Sequence, residues 1–259
     1  MPCYQQAAFV EEAVRSVLEQ ENVDVELIVH DPGSTDGSRA ILERLRTRFG
    51  ARLELCFEAD RGQSDAVNRG MQRASGGVLG WLNSDDRLRP AALERVLASL
   101  RGEAPQWLYG RAGMIDAAGR PISPWIVRYK NWRGRHFSRL RLLTENFIPQ
   151  MAVFWNRAMW DRAGSLDAAR SLDMDYDLWL RFSLVAAPRV LAVDLADFRV
   201  HGAAKGSRQT AEQLAAALAT ARRHAAGSGL RGRLALALHR LYGWRTRLLY
   251  CCTKPRLRG

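Results

Sequence analysis

At 259 residues and 47% hydrophobic content the chain is long enough to bury a real core in one large domain, or in one domain with an appendage. Its four cysteines (Cys3, Cys56, Cys251, Cys252) have neither metal-ligand spacing nor a disulfide-framework pattern, so a reducing compartment is expected; no signal-peptide pattern opens the sequence, and no apolar run could span a bilayer. Residues 199–259 carry 13 of the 39 lysines and arginines but one acid, Glu212, so this tail holds the whole formal charge of +12 while residues 1–198 are balanced.

Phe9, Val10, Ala13, Val14, Val17 and Leu18 recur at helical spacing, predicting a helix that ends near Gln20. Residues 26–29 read as a short buried strand running into Asp31-Pro-Gly-Ser-Thr-Asp-Gly-Ser38, a loop rich in turn residues. A helix with Ile41, Leu42, Leu45 and Phe49 on one face follows, then a strand over 53–57 and a helix over 64–74. A strand over 78–82, a helix over 90–100 and a strand over 107–109 complete the alternation. Helices and strands of these lengths predict an α/β fold whose central sheet is mostly parallel and flanked by helices. Residues 112–150 break the rhythm with an irregular segment mixing aromatic and basic side chains, the pattern of a substrate loop, and 170–184 is helical again.

The stretch Trp81-Leu-Asn-Ser-Asp-Asp86 carries the most chemistry, because an apolar run stops there at two adjacent carboxylates. Mg²⁺ and Mn²⁺ want oxygen ligands, and often take one or two protein carboxylates and complete their shell with a substrate's phosphates. The carboxyl edge of a parallel sheet is also where open α/β folds bind ligands. Alone, the dipeptide reads as a solvated turn before a helix; its companions elsewhere in the chain argue otherwise.

Four segments occur in order: the loop 31–38, Gly62-Gln-Ser-Asp-Ala-Val-Asn-Arg-Gly70, the stretch 81–86, and Asp175-Tyr-Asp-Leu-Trp-Leu-Arg181. Together with Ile148-Pro-Gln150, Phe154-Trp155 and Arg199-Val-His201 they resemble the family 2 inverting glycosyltransferases of the GT-A fold, over roughly residues 2–205. The resemblance implies that Asp31 contacts the nucleobase of a nucleotide-sugar, with uridine favoured, and that Gln63, Asp65 and Asn68 fall in the segment lining the nucleotide pocket. Asp65 and Asn68 have the competing role of tying down a helix start. Asp85 matches a ribose or metal contact, Asp86 the metal ligand, and His201 reaches the same diphosphate or metal in some relatives; Lys205 is a further phosphate-binding candidate. Asp175 matches the catalytic base, with Asp177 its rival. Trp155 and Trp160 read as core. The chain departs from the pattern at its start: Met1-Pro-Cys-Tyr-Gln5 stands where relatives end a hydrophobic first strand, so that strand is expected to be truncated. Gln5 replaces the usual Asn, and Met174 stands where an acid commonly precedes the base.

The resulting expectation is a catalytic domain over 1–205 and a basic helical extension over 206–259. The enzyme is a Mn²⁺- or Mg²⁺-dependent, hexosyltransferase-type glycosyltransferase that moves a sugar from a nucleotide-diphosphate donor to a hydroxyl of a glycan or lipid-linked acceptor. Two alternatives are a catalytically weak nucleotide-sugar-binding module recruited to membranes and a sugar nucleotidyltransferase; the latter's Gly-rich basic loop is absent. Residues 230–252 draw as a helix with Leu234, Leu238 and Leu241 on one side and Arg233, His239 and Arg240 on the other, an arrangement suited to an anionic membrane surface. A cytoplasmic protein held peripherally at the inner face of the plasma membrane is expected; nucleic acid is not, since no recognition motif accompanies the charge.

Overall fold

The computed structural model describes residues 1–202, 210–226 and 229–253, and the side chains of the last helix as far as Gly243. Its first half alternates as the apolar spacing dictates. Helix α1 (Val10–Leu18) buries Val10, Val14 and Val17, and β1 (Leu27–His30) is buried along its whole length. Helix α2 (Ser38–Phe49), β2 (Leu53–Cys56), α3 (Gln63–Arg73) and β3 (Val78–Gly80) follow, then β4 (Arg87–Leu88), α4 (Ala92–Ser99) and β5 (Trp107–Ile115). The segment expected to be irregular instead forms a turn at 116–120 and two helices, α5 (Pro124–Arg133) and α6 (Arg139–Thr144). Strand β6 (Val153–Asn156), α7 (Arg157–Ala163), α8 (Met174–Val185), β7 (Arg189–Arg199), α9 (Thr210–Ala225) and α10 (Gly229–Thr253) complete the chain.

The α/β architecture is as expected, but strand direction needs correction. Strands β1 and β2 pair in parallel, whereas the five-stranded sheet, ordered β3-β6-β5-β7-β4, is mixed: only β5 and β7 run parallel, and the other three pairings are antiparallel. Apolar alternation reports burial and carries no information about direction. The start of the chain lies beside β1, with Cys3 N–H donating to the His30 carbonyl and Pro2 bridging to His30, so residues 1–3 behave as the end of a short strand. Between β1 and β3 lies an apolar slot of about 180 Å³, lined by Ile28, Met71, Leu79 and Phe154 among others. Gly80 is required here: a Cβ would sit 2.7 Å from the Phe154 ring.

Two apolar cores divide the molecule. One joins α1, α2, α4 and β1, including Val10, Leu42, Val96 and Leu108. The other is built on Trp81, Trp107, Trp155, Trp160 and Trp179, with Trp107 and Trp179 stacked at 6.0 Å. Ala221 and Ala225 of α9 and Ala235 of α10 belong to this second core. The C-terminal helices therefore pack on the body rather than hanging from it. On α10 the buried residues are Gly232, Ala235 and His239, and His239 Nδ1 lies 2.9 Å from the Leu143 carbonyl.

Candidate functional site

Asp31 follows the last residue of β1 and is 1% exposed. Its Oδ1 accepts from the N–H groups of Gly33 (2.9 Å) and Ser34 (2.7 Å), an Asx-type turn in which Gly33 takes φ 133°. Its Oδ2 is buried and has no hydrogen-bond partner. Gln5, at φ 56°, donates from its backbone to Ser34 Oγ and from its side chain to Thr35 Oγ1, so it braces this loop. The Cys3 thiol lies against both Asp31 and Ser84, which brings the loop after β1 to the 81–86 stretch.

That stretch joins β3 to β4, and β7 clamps it from the far side. Arg87 and Leu88 pair with Asp197 and Ala196, and the Arg199 N–H extends the ladder by donating to Asp86 Oδ1 at 2.9 Å. Arg199, 1% exposed, also donates from Nε to the Asp85 carbonyl at 2.8 Å and pairs with Glu12. Asp86 is thereby held inside the protein, 1% exposed with Oδ2 unpartnered, and burial together with the Asp85 charge pushes its carboxyl well above the usual range. Asp85 points the other way. Its Oδ2 lies 3.1 Å from His201 Nε2, whose ring packs on Phe9 at 4.6 Å.

Gln63 and the pocket floor are linked by amides. Gln63 Nε2 donates to Asn83 Oδ1 (2.8 Å), Asn83 Nδ2 to Gln150 Oε1 (3.1 Å), and Gln150 Nε2 to the Trp81 carbonyl (2.7 Å). Asp65, by contrast, spends its oxygens on the Arg61 N–H and on the guanidinium groups of Arg61 and Arg69, and the Arg61 hydrogen bonds hold it below the usual carboxylate range. Asn68 makes a reciprocal pair with the backbone of Leu166. Both tie α3 in place.

The opposite rim is the N-terminus of α8. Ser64, at the start of α3, donates to the Arg170 carbonyl and to Met174, so the two helix starts meet; Met174 is core at this junction. Three aspartates sit on this turn and, among the described residues, only one makes no ion pair. Asp173 pairs with Arg170 at 2.7 Å. Asp177 pairs with Arg181 and with His224 of α9, both at 2.9 Å; burial opposes its ionisation, but these bonds win and keep it below the usual range. Asp175 accepts from its own helix at the Tyr176 N–H (2.7 Å) and from Asn146 Nδ2 at 3.4 Å, and burial pushes its carboxyl up to about 6. The segment from Asn146 to Gln150 runs from Asp175 to Asn83, spanning the two rims.

Contacts therefore tie Asp31, Gln63, Asp85 and His201 to the 81–86 stretch, and the 146–150 segment links that stretch to Asp175. The geometry directs Asp65, Asn68, Asp86 and Asp177 inward, and Trp155 and Trp160 are core, stacked at 6.0 Å. Lys205 lies outside the described residues. Sequence reasoning assigned no role to Asn83, Gln150, Arg199 or Asn146. The first three stand inside quoted motifs, which was the available signal. Asn146 gave none, because a lone asparagine in a loop looks like any other.

Asp85 and His201 are the side chains here whose donors match those a divalent cation takes. Donor atoms about 3 Å apart can both reach one ion at ~2.1 Å, and the 3.1 Å between Asp85 Oδ2 and His201 Nε2 meets that condition. Among the described residues no third His, Cys, Asp or Glu joins them.

Comparison with known proteins agrees with the fold and motifs. The chain matches the profile described as Glycosyl transferase family 2 over residues 1–162. It is 24% identical over 77% of its length to an uncharacterised glycosyltransferase of Nostoc sp., and 31% identical over 70% of its length to the PGL/p-HBAD biosynthesis glycosyltransferase of Mycobacterium tuberculosis. It spans 63% of the first relative's length and 67% of the second's. Among solved structures it is similar to S. aureus TarS in complex with UDP-GlcNAc (TM-score 0.68, 15% identity, 90% of this chain and 67% of that one). It is also similar to the mannosyltransferase PcManGT from Pyrobaculum calidifontis in complex with GDP-Man and Mn²⁺ (TM-score 0.66, 17% identity, 93% and 71%). The profile match over more than half the chain, on a GT-A framework, makes this protein a member of the family 2 glycosyltransferases.

Proposed function

We propose that the protein transfers a hexosyl group, with inversion, from a nucleoside-diphosphate sugar to an acceptor hydroxyl. Asp31 Oδ2 accepts from a ring N–H of the base, which suits uracil or guanine. Asp85 and His201 would hold a divalent cation, which would supply charge neutralisation for the leaving diphosphate. Asp175 takes the acceptor's proton as the hydroxyl oxygen attacks the anomeric carbon opposite the leaving diphosphate, which carries away the bonding electron pair. The observation that carries this reading is Asp175 itself, a carboxylate with no ion pair among the described residues, held by Asn146 and raised to about 6. Arg199 and Asp86 act by positioning the loop that presents Asp85.

Further support comes from the ligands of the similar structures, UDP-GlcNAc in one and GDP-Man with Mn²⁺ in the other. The acceptor in this reading is a glycan or lipid-linked saccharide. The basic segment 230–252 rests on an anionic surface at the inner face of the plasma membrane, supported by the exposed Arg231, Arg233 and Arg240. Calorimetry with UDP-, GDP- and dTDP-sugars, each with and without Mn²⁺, tests the donor. Slow donor hydrolysis that releases sugar of inverted anomeric configuration tests the chemistry. Donor binding with no diphosphate release on any acceptor would leave a binding module instead.

A further inference from the structure

We propose that α5 and α10 together form one membrane-docking face, so that α5 joins the bilayer contact to the Asp175 cleft. Of the ten large apolar side chains most exposed among the described residues, seven lie on α5, α6 and α10. Trp125 and Trp132 of α5 are 52% and 57% exposed, and with Tyr129 they recur at i, i+4 and i+7 on one face. On α10, Leu230, Leu234 and Leu241 form a matching stripe, opposite the Ala235 and His239 side that packs on the body. The two helices meet where the Arg133 guanidinium lies 5.3 Å from the Tyr242 ring. Exposed tryptophans and leucines gathered on neighbouring helices in this way are unusual on a protein that meets only water.

Charge identifies the occupant. Arg128, Arg135, Arg231, Arg233 and Arg240 are exposed around the two stripes. Glu145, a carboxylate beside α5, is held by Arg133 at 3.0 Å and Tyr129 at 3.2 Å. Tryptophans and leucines rimmed by arginines fit the interface of an anionic bilayer, where the rings sit at headgroup depth and each cation meets negative lipid. Helix α5 also borders the cleft: Glu145 precedes Asn146, the partner of Asp175, and Lys130 faces both Glu145 and Asp175. An acceptor anchored in that bilayer would reach Asp175 without leaving it. This last consequence rests on the proposed transfer reaction; the docking face does not.

The test is flotation of the full-length chain with phosphatidylcholine vesicles, with and without phosphatidylglycerol. Wild type should float only with the anionic vesicles. Trp125→Ser/Trp132→Ser and Leu234→Ser/Leu241→Ser should each lower the partition coefficient by about tenfold or more, with melting temperature and donor affinity unchanged. Brominated lipids should quench wild-type tryptophan fluorescence, and the tryptophan double variant should lose most of that quenching. If it floats like wild type while the leucine variant is released, α5 is not part of the face and the proposal fails, although the basic-tail reading survives. A wild-type chain that ignores vesicles and sediments as a dimer, becoming monomeric in the leucine variant, would also overturn it.

Discussion

The 81–86 loop and the first turn of α8 solve the same problem in the same way. Each concentrates aspartates where a strand or helix ends, and each uses some to build the site and leaves one to act. In the loop, Asp86 receives the Arg199 N–H and is sealed inside, while Asp85 turns toward His201. In the turn, Asp173 and Asp177 are paired with arginines, and Asp177 also with His224 across to α9, while Asp175 keeps only amide partners. The difference lies in what remains for the free member. Asp85 has an imidazole beside it and can share a cation; Asp175 has burial and, among the described residues, no ion pair, with Lys130 acting on it only at longer range, so it can share a proton. A direct ion pair makes a carboxylate structural, and its absence leaves the carboxylate able to react.

The comparison breaks most visibly at Asp175. Asp175→Asn should lower kcat by about 10²-fold or more while donor affinity, read by calorimetry, stays within error. In wild type, log kcat/KM should fall on acidification through about pH 6, because the base is then protonated; a profile flat to pH 4.5 would remove Asp175 from the role. Stability should respond with the opposite sign. A carboxyl whose folded pKa exceeds its unfolded value binds more protons when folded, so its contribution declines as pH rises from ~4 toward 6 and is absent in the Asn variant. At the other rim, Asp85→Ala should weaken donor binding in Mn²⁺ by at least about tenfold, and chelation should do the same to wild type and little to the variant. Equal donor affinity with and without Mn²⁺ in wild type would dissolve the cation reading.

Asp177→Asn probes the structural member of the same turn. Arg181 and His224 would each lose a charged partner, and chemical denaturation should show a cost of about 1–3 kcal/mol, with kcat changed less than twofold. A large kcat loss with unchanged stability would exchange the roles of Asp175 and Asp177. The contrast is sharp because the two residues differ by only two positions yet face different neighbours.

Much of this was legible from sequence, and the rest was hidden for identifiable reasons. Aspartates at the ends of apolar runs announce themselves, so the residues of both rims stand out in the primary structure. Which oxygen is used does not, since it depends on partners far along the chain: Asp86 on Arg199, Asp177 on His224, Asp173 on Thr220. The mixed sheet was equally hidden. Strand β6 enters antiparallel between β3 and β5 after α5 and α6 carry the chain back, and β7 returns beside β5 with register shifts between Tyr109 and Ala112. The tail was legible in one respect and hidden in another. Helical periodicity separated Leu234 from His239, and the leucine side is exposed as expected; that the histidine side packs on the body depends on Leu143, far along the chain.

The smallest expected effect falls on Asp65, which the motif 62–70 places beside the nucleotide. Its oxygens instead meet Arg61 and Arg69 near the start of α3. Arg61 is largely exposed and Arg69 partly so, which weakens both pairs by solvent screening, whereas the Arg61 N–H bond orders the turn that opens the helix. An amide at this position can still accept that N–H. Asp65→Asn should therefore cost under about 1 kcal/mol in denaturation and leave donor affinity unchanged, whereas Gln63→Ala, which releases Asn83, should weaken it. If Asp65→Asn weakened donor binding more than Gln63→Ala, the carboxylate would have to leave its arginines on binding, and the division between building and acting residues would depend on the ligand.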